Sequence, residues 1–180
     1  MTALRSDAAR SRARILEVAR AHDTHDLRLN EVAREAGVGV GTVYRHFPTV
    51  KSLVEALTAD TIDRMLEISK RAAAEPEPAT AFTMYLRSAL ALQLEDDGLQ
   101  AVMLSPDDEA DEVRSAKTEI YSTFSTVLDG AKAAGAVRTD LTLEHLTHLV
   151  CGIEHAVRLG VPADRGLLLD VLIGGLRPTR

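Results

Sequence analysis

Apolar residues recur at three- and four-residue intervals along nearly the whole chain, as in Leu53, Leu57, Ile62, Met65 and Leu66, and no run alternates polar with apolar residues. That regularity confines the chain to an all-α fold, because a period of 3.6 lines one face of a helix whereas a strand needs a period of two. A chain of 180 residues buries about 70% of the surface its unfolded form exposes. Folding therefore needs no disulfide or metal staple.

Breaks in the pattern divide the chain into about nine helices with no repeat. A first helix is expected from Ser6 or Ala9 to Ala21, buried through Ile15, Leu16, Val18 and Ala19, and the polar stretch 22–26 ends it. A short second helix, Leu29 to Ala36, should close on Gly37 in the left-handed conformation. A third, Gly41 to Phe47, is stopped by Pro48, and Thr49 can cap a long fourth helix running to Ala74. Further helices are expected over 79–95 and 99–104, with Asp96-Asp97-Gly98 as a turn between them. Ser105-Pro106-Asp107-Asp108 has the form of a cap and first turn, and the helix it opens should reach Ala134, with Gly135 as its stop. Helices over 142–159 and 163–176 complete the set.

The formal charge is −6, which alone argues against a nucleic-acid partner, but it is unevenly placed. Residues 1–51 carry nine Lys or Arg against six Asp or Glu, a balance of +3, and residues 52–180 carry 12 against 21, a balance of −9. One end thus suits a polyanion and the rest does not. Arginines 5, 10, 12, 14 and 20 also fit a merely solvated arm. The single cysteine, Cys151, permits no intrachain disulfide, no apolar run reaches 18 residues, and the opening MTALRSDAARSRARI lacks the apolar core of a signal peptide. The expected location is cytoplasmic.

The second and third helices are short and joined by a turn containing Gly37 and Gly39, the form of a helix-turn-helix. The second helix of such a pair enters the major groove, here with Val38, Val43 and Phe47 inward and Thr42, Tyr44, Arg45 and His46 outward. Thr, Tyr and His donate to phosphate oxygens, and Arg pairs bidentately with guanine. ILEVARA followed by NEVAREAGVGVGTVYRHFPTVKSLVEAL resembles the DNA-binding domain of the tetracycline-repressor (TetR) family, through Val32, Ala33, Ala36, Gly37, Val38, Gly41, Thr42, Val43, Tyr44, His46, Phe47, Thr49 and Leu53. The close match covers about the first 60 residues; later, the helical order and the ending GGLRP also fit.

The resemblance implies a transcription regulator, usually a dimeric repressor released from its operator by a small molecule, with a DNA-binding domain over residues 1–50 and a ligand-binding and dimerisation domain over 51–180. It implies contacts to DNA from Thr42, Tyr44 and His46, the latter two mainly on the backbone, with Arg45 at a variable position suited to base readout. Three positions depart from the family pattern: Gly39 replaces the usual Ser cap, and Val40 and Val50 stand where lysines are frequent, with Lys51 one place later. Val40 can still lie on a thymine methyl. Arg10, Arg12, Arg14, Arg28 and Lys51 are then the cations left to meet phosphates.

In the remainder, the helices over 141–160 and 165–176 are apolar enough to require burial on several sides, and the family places a homodimer interface there. A plain core pair is the alternative. Two heads roughly 34 Å apart would read a pseudo-palindromic operator. Met84, Tyr85, Leu92, Gln93, Met103, Tyr121 and Phe124 are candidates for the lining of an effector pocket, although residues of these types also serve as ordinary core. His145, His148, Cys151 and His155 share one helix face with a zinc-like ligand set, yet side chains so placed on an interface helix also simply pack; no metal or cofactor is assigned. Two other readings stand beside the regulator: a helical enzyme, for which no Ser-His-Asp, G-x-x-x-x-G-K or H-E-x-x-H signature is present, and a helical small-molecule binder without DNA binding.

Overall fold

A computed structural model describes residues 2–178 and, within them, every side chain except those of residues 2–6, 25 and 162, so the Arg5 side chain lies outside the described residues. Ten α-helices and no strand occur among the described residues: α1 (Thr2–Ala19), α2 (Leu29–Ala36), α3 (Val40–His46), α4 (Val50–Leu57), α5 (Ala59–Ala74), α6 (Pro78–Glu95), α7 (Asp97–Leu104), α8 (Asp111–Ala133), α9 (Leu143–Leu159) and α10 (Arg165–Gly175). None of these helices is long and apolar enough to cross a membrane. The chain folds as two compact units, one built from Met1–Asp60 with Asp97–Arg114 and the other from Thr61–Asp96 with Ser115–Arg180.

In the first unit α2 packs on α1 and α3, and α4 packs on α1 and α7. Ile15, Val32, Ala33, Ala36, Val43, Leu53 and Leu99 are completely removed from water at the centre of these contacts. Each larger aliphatic among them contributes about 1.5–3 kcal/mol of burial. α2 ends as its sequence predicts: Gly37 takes φ +62°, the Val38 amide donates to the Ala33 carbonyl at 3.1 Å and the Gly37 amide to that of Arg34 at 3.2 Å. These two bonds satisfy the last carbonyls of the helix.

Two expected helices differ from the observed ones. The long helix from Thr49 to Ala74 is broken at Thr58, so that α4 and α5 are separate and the helices number ten rather than about nine. The Thr58 hydroxyl donates back to the Val54 carbonyl at 3.0 Å, a side-chain bond of the kind that bends helices. The helix expected from Ser105 begins only at Asp111, because the 105–110 segment satisfies its polar groups otherwise: Ser105 Oγ donates to the Asp107 carbonyl at 2.9 Å, and the Glu109 and Ala110 amides are held from α4. Smaller differences are the start of α1 at Thr2 and the start of α7 at Asp97, which leaves Asp96 alone outside the helices where a three-residue turn was expected.

In the second unit α6 packs against α9, and α9 against α10. Glu77 caps α6, accepting from the Ala79 and Thr80 amides, and the Thr80 hydrogen bonds hold its carboxyl below the usual range. Thr142 caps α9 in a reciprocal pair with His145. Gly135 ends the α8 segment with φ +70°. Leu146, Val150, Val157, Leu169 and Leu172 turn α9 and α10 inward, but the burial expected on several sides is found on only part of the pair. Leu149, Leu159, Val161, Leu167 and Val171 stand in water, the last two with 64% of their surface open.

Candidate nucleic-acid interface

The recognition unit is built on the turn at Gly37. Gly39 precedes α3 in an extended conformation, φ −64° and ψ 139°, with no side-chain cap, and its carbonyl accepts from the Thr42 amide at 2.8 Å. Val43 and Phe47 are the buried face of α3, with Val38 half-buried beside them. The opposite face carries Tyr44 and Val40, each 46% exposed, Arg45 also exposed, and Thr42 and His46 half-buried at its margins. Val43 and Phe47 are thus inward and Tyr44 and Arg45 outward as expected, while Val38, Thr42 and His46 are alike half-buried.

Arg45 does not project freely. Its Nε donates to the Gly41 carbonyl at 3.0 Å and its terminal nitrogen to Thr42 Oγ1 at 3.2 Å, so the guanidinium lies along its own helix. Both bonds are exposed and cheap to exchange for a base edge. The remaining cations divide into two groups. Arg12 lies over the Phe47 ring, 5.4 Å from its centroid, bracing the back of the unit. Arg10 is paired with Asp7, and Arg10 and Arg14 line a shallow groove in which Asp7, Glu17 and Glu35 offset their charge. Arg14 also borders the turn, since a Cβ at Gly37 would sit 3.5 Å from its guanidinium. Arg28 is exposed just ahead of α2, and Lys51 is half-buried in the first turn of α4. Val40 and Val50, where cations were wanted, are both exposed.

Below Pro48, Thr49 caps α4: its hydroxyl accepts from the Ser52 amide at 3.0 Å and Ser52 Oγ accepts from the Thr49 amide at 3.2 Å. This rigid start fixes α4 directly after the recognition helix.

Two sequence families match the chain. The model of bacterial regulatory proteins of the tetR family covers residues 13–57, and that of SbtR-like transcriptional regulators, C-terminal domain, covers residues 77–178. A TetR transcriptional regulator from Streptomyces coelicolor is 31% identical over 94% of this chain and 99% of its own, with a TM-score of 0.55. The chain belongs to the TetR family. It is therefore a DNA-binding transcription regulator and not an enzyme, which removes the two rival readings. A TetR-family regulator from a Shewanella species shares the fold, with a TM-score of 0.62 at 17% identity over 94% of this chain and 99% of its own. No curated protein matches the chain.

The residues considered for an effector pocket are distributed between the units of this TetR protein. Met103 is buried in the first unit; Met84, Tyr85, Leu92, Gln93, Tyr121 and Phe124 belong to the second. Tyr85 stacks on Phe124 with ring centroids 3.9 Å apart and an interplanar angle of 14°, and Phe82 lies 6.1 Å from Phe124. Burial first, and Tyr121 second, push the Tyr85 phenol above its ordinary value of 10.0, so it stays a neutral group. Leu92 is core; Met84 and Tyr121 are half-buried. Gln93 gives its backbone carbonyl to Arg158 at 2.7 Å, and its buried Oε1 has no hydrogen-bond partner.

The four residues weighed as metal ligands are not gathered. His145 Nδ1 accepts from the Thr142 amide at 3.2 Å, and no group of three or more His, Cys, Asp or Glu among the described residues could hold an ion. What sequence reasoning missed is Glu55, 1% exposed, whose carboxylate binds the amides of Glu109 and Ala110. A Glu inside VKSLVEAL gives no local sign of such a role.

Proposed function

We propose that the chain is a homodimeric repressor that grips a pseudo-palindromic operator through the outer face of α3 and lets go when a small molecule binds the helical domain. The observation that carries the reading is the division of α3, whose Thr42, Tyr44, Arg45 and His46 share one outer side while Val43 opposite has no exposure at all. Tyr44 and His46 meet phosphates, Thr42 meets phosphate or a base edge, Val40 lies on a thymine methyl, and Arg45 swings from the Gly41 carbonyl to pair with a base. Arg10, Arg14, Arg28 and Lys51 add phosphate contacts, and Arg12 does so only by leaving the Phe47 ring. The DNA-binding domain takes residues 1–50 and the rest serves ligand and dimer.

The dimer forms through α9 and α10, supported by the four large apolar side chains left in water on these helices and by Val161 between them. The effector pocket draws on Met84, Tyr85, Leu92, Gln93, Tyr121 and Phe124 of the second unit, and the unpartnered Gln93 Oε1 awaits a donor. The protein works in the bacterial cytoplasm, where its operator is. Replacing Tyr44 and Arg45 together with Ala should abolish binding to a duplex selected by the wild-type protein from a random pool, measured by fluorescence anisotropy, while thermal unfolding stays unchanged. Undiminished affinity in the double variant would move the interface elsewhere.

A further inference from the structure

Among the described residues of the first unit Glu55 is the one charged side chain that is buried, and its partners are backbone amides. Oε1 accepts from the Glu109 amide at 2.9 Å and Oε2 from the Ala110 amide at 2.8 Å, across more than 50 residues of sequence. These amides stand immediately before Asp111, where α8 begins, and the Ala110 carbonyl accepts the Arg114 amide at 3.1 Å, so Ala110 is the capping residue of α8. A second bond reinforces the first: Thr49 Oγ1, at the opposite end of α4, donates to Glu109 Oε1 at 2.5 Å. Arg114, on the first turn of α8, donates to the Asp108 carbonyl and pairs with Asp111, which keeps the 108–111 backbone in the shape the carboxylate reads.

The chemistry is that of a cap supplied from another helix. The first amides of a helix lack partners and carry its partial positive charge, and an anion placed there is favoured. A buried carboxylate, conversely, is costly unless its oxygens are satisfied. Glu55 and α8 answer each other's need, so neither is comfortable without the other. α4 begins four residues after the recognition helix ends. α8 runs on without a break from Arg114 of the first unit into Ser115 of the second.

We propose that Glu55 is a positioning residue for operator binding, clamping α4, and through it the recognition helix, to the capped start of α8, so that the state of the head is felt along α8. This inference rests on the assignment of α3 as the operator-reading helix. Its consequence is reciprocal: whatever moves the start of α8 must move α4 or break two charge-assisted bonds.

Hydrogen exchange on the full-length protein, free and with the selected duplex, tests it. In the wild type the Glu109 and Ala110 amides should be protected, and adding duplex should change exchange within residues 115–133. In Glu55→Gln, whose amide group meets one of the two donors with a donor of its own, those two amides should exchange about tenfold faster or more. The duplex should bind about tenfold more weakly, and the response of 115–133 should disappear. Leu53→Ala is the control for mere destabilisation of α4: it should lower the melting temperature yet keep the response. If Glu55→Gln does not fold, Glu55→Asp, which keeps the charge but withdraws it by one methylene, is put through the same comparison. A Glu55 variant that binds duplex like the wild type and still transmits the change to 115–133 overturns the clamp. A wild-type protein that selects no duplex at all overturns instead the operator-reading assignment, so the two failures are told apart.

Discussion

The outer face of α3 and the outer face of the α9–α10 pair are both open to water, and they differ in how much large aliphatic surface they leave there. On α3 Val40, Tyr44 and Arg45 are exposed with Thr42 and His46 half-buried beside them, and Arg45 already donates to Gly41 and Thr42 of its own helix. On α9 and α10 the exposed groups include the large aliphatics Leu149, Leu167 and Val171, with His148 and Asp170 exposed next to them in sequence. A polar face of this kind is stable alone and exchanges its weak local bonds for those of a ligand. A cluster of large aliphatics in water is not, since monomeric proteins rarely leave contiguous apolar surface uncovered. The comparison fits the proposal of a first surface made for reversible contact with DNA and a second made for lasting contact with a second copy of the chain.

The largest expected effect comes from attacking the apolar face. Leu167→Glu with Val171→Glu removes two side chains per copy, each worth about 1.5–3 kcal/mol when buried, and sets like charges against each other. The proposed dimer should weaken by about three orders of magnitude or more, seen as monomer mass in light scattering, with operator affinity falling alongside. Dimeric mass in that variant would refute the contrast between the two faces.

Arg45→Ala attacks the polar face. It should cost about 1–3 kcal/mol of operator affinity and relax base preference at one position per half-site, with no change in melting temperature. A uniform loss across all duplexes would show instead that Arg45 holds phosphate.

Gly37→Ala probes the turn that presents α3. Its φ of +62° is strained for any residue with a Cβ, although the nearest atom, on Arg14, is at an ordinary 3.5 Å. The cost should be about 1–2 kcal/mol in chemical denaturation, confined to the first unit if exchange protection is followed by segment.

The smallest and most diagnostic change is Val40→Lys. It restores a cation on an exposed position of α3, so the slope of log affinity against log salt should steepen by about 0.9 for each head that gains a phosphate contact. An unchanged slope would mean that Val40 faces bases or solvent rather than backbone.

Much of this was legible in the chain. Gly37, Pro48, Thr49 and Gly135 are punctuation whose physics is local: a left-handed φ, a missing amide, a hydroxyl within reach of the third residue on. The inward and outward faces of α3 followed from spacing alone, and AGVGVGTVYRHF carried the family. The sequence misled where a distant group competes with a local signal. Ser105-Pro106-Asp107-Asp108 looks like a helix start, yet the helix waits until Asp111, and the Glu109 and Ala110 amides ahead of it are bound by Glu55 from across the unit. Thr58 reads as one more helical residue until its hydroxyl is seen to turn back on Val54.

By itself, then, the sequence determined the all-α class, the helix-turn-helix and which side chains α3 offers, because periodicity, capping and glycine conformation act over a few residues. Only the tertiary structure decided that Arg12 leans on Phe47, that Tyr85 stacks on Phe124, and that a glutamate on α4 binds the two amides just ahead of α8. Those partners lie tens of residues apart, and packing alone chooses which of many compatible groups will meet.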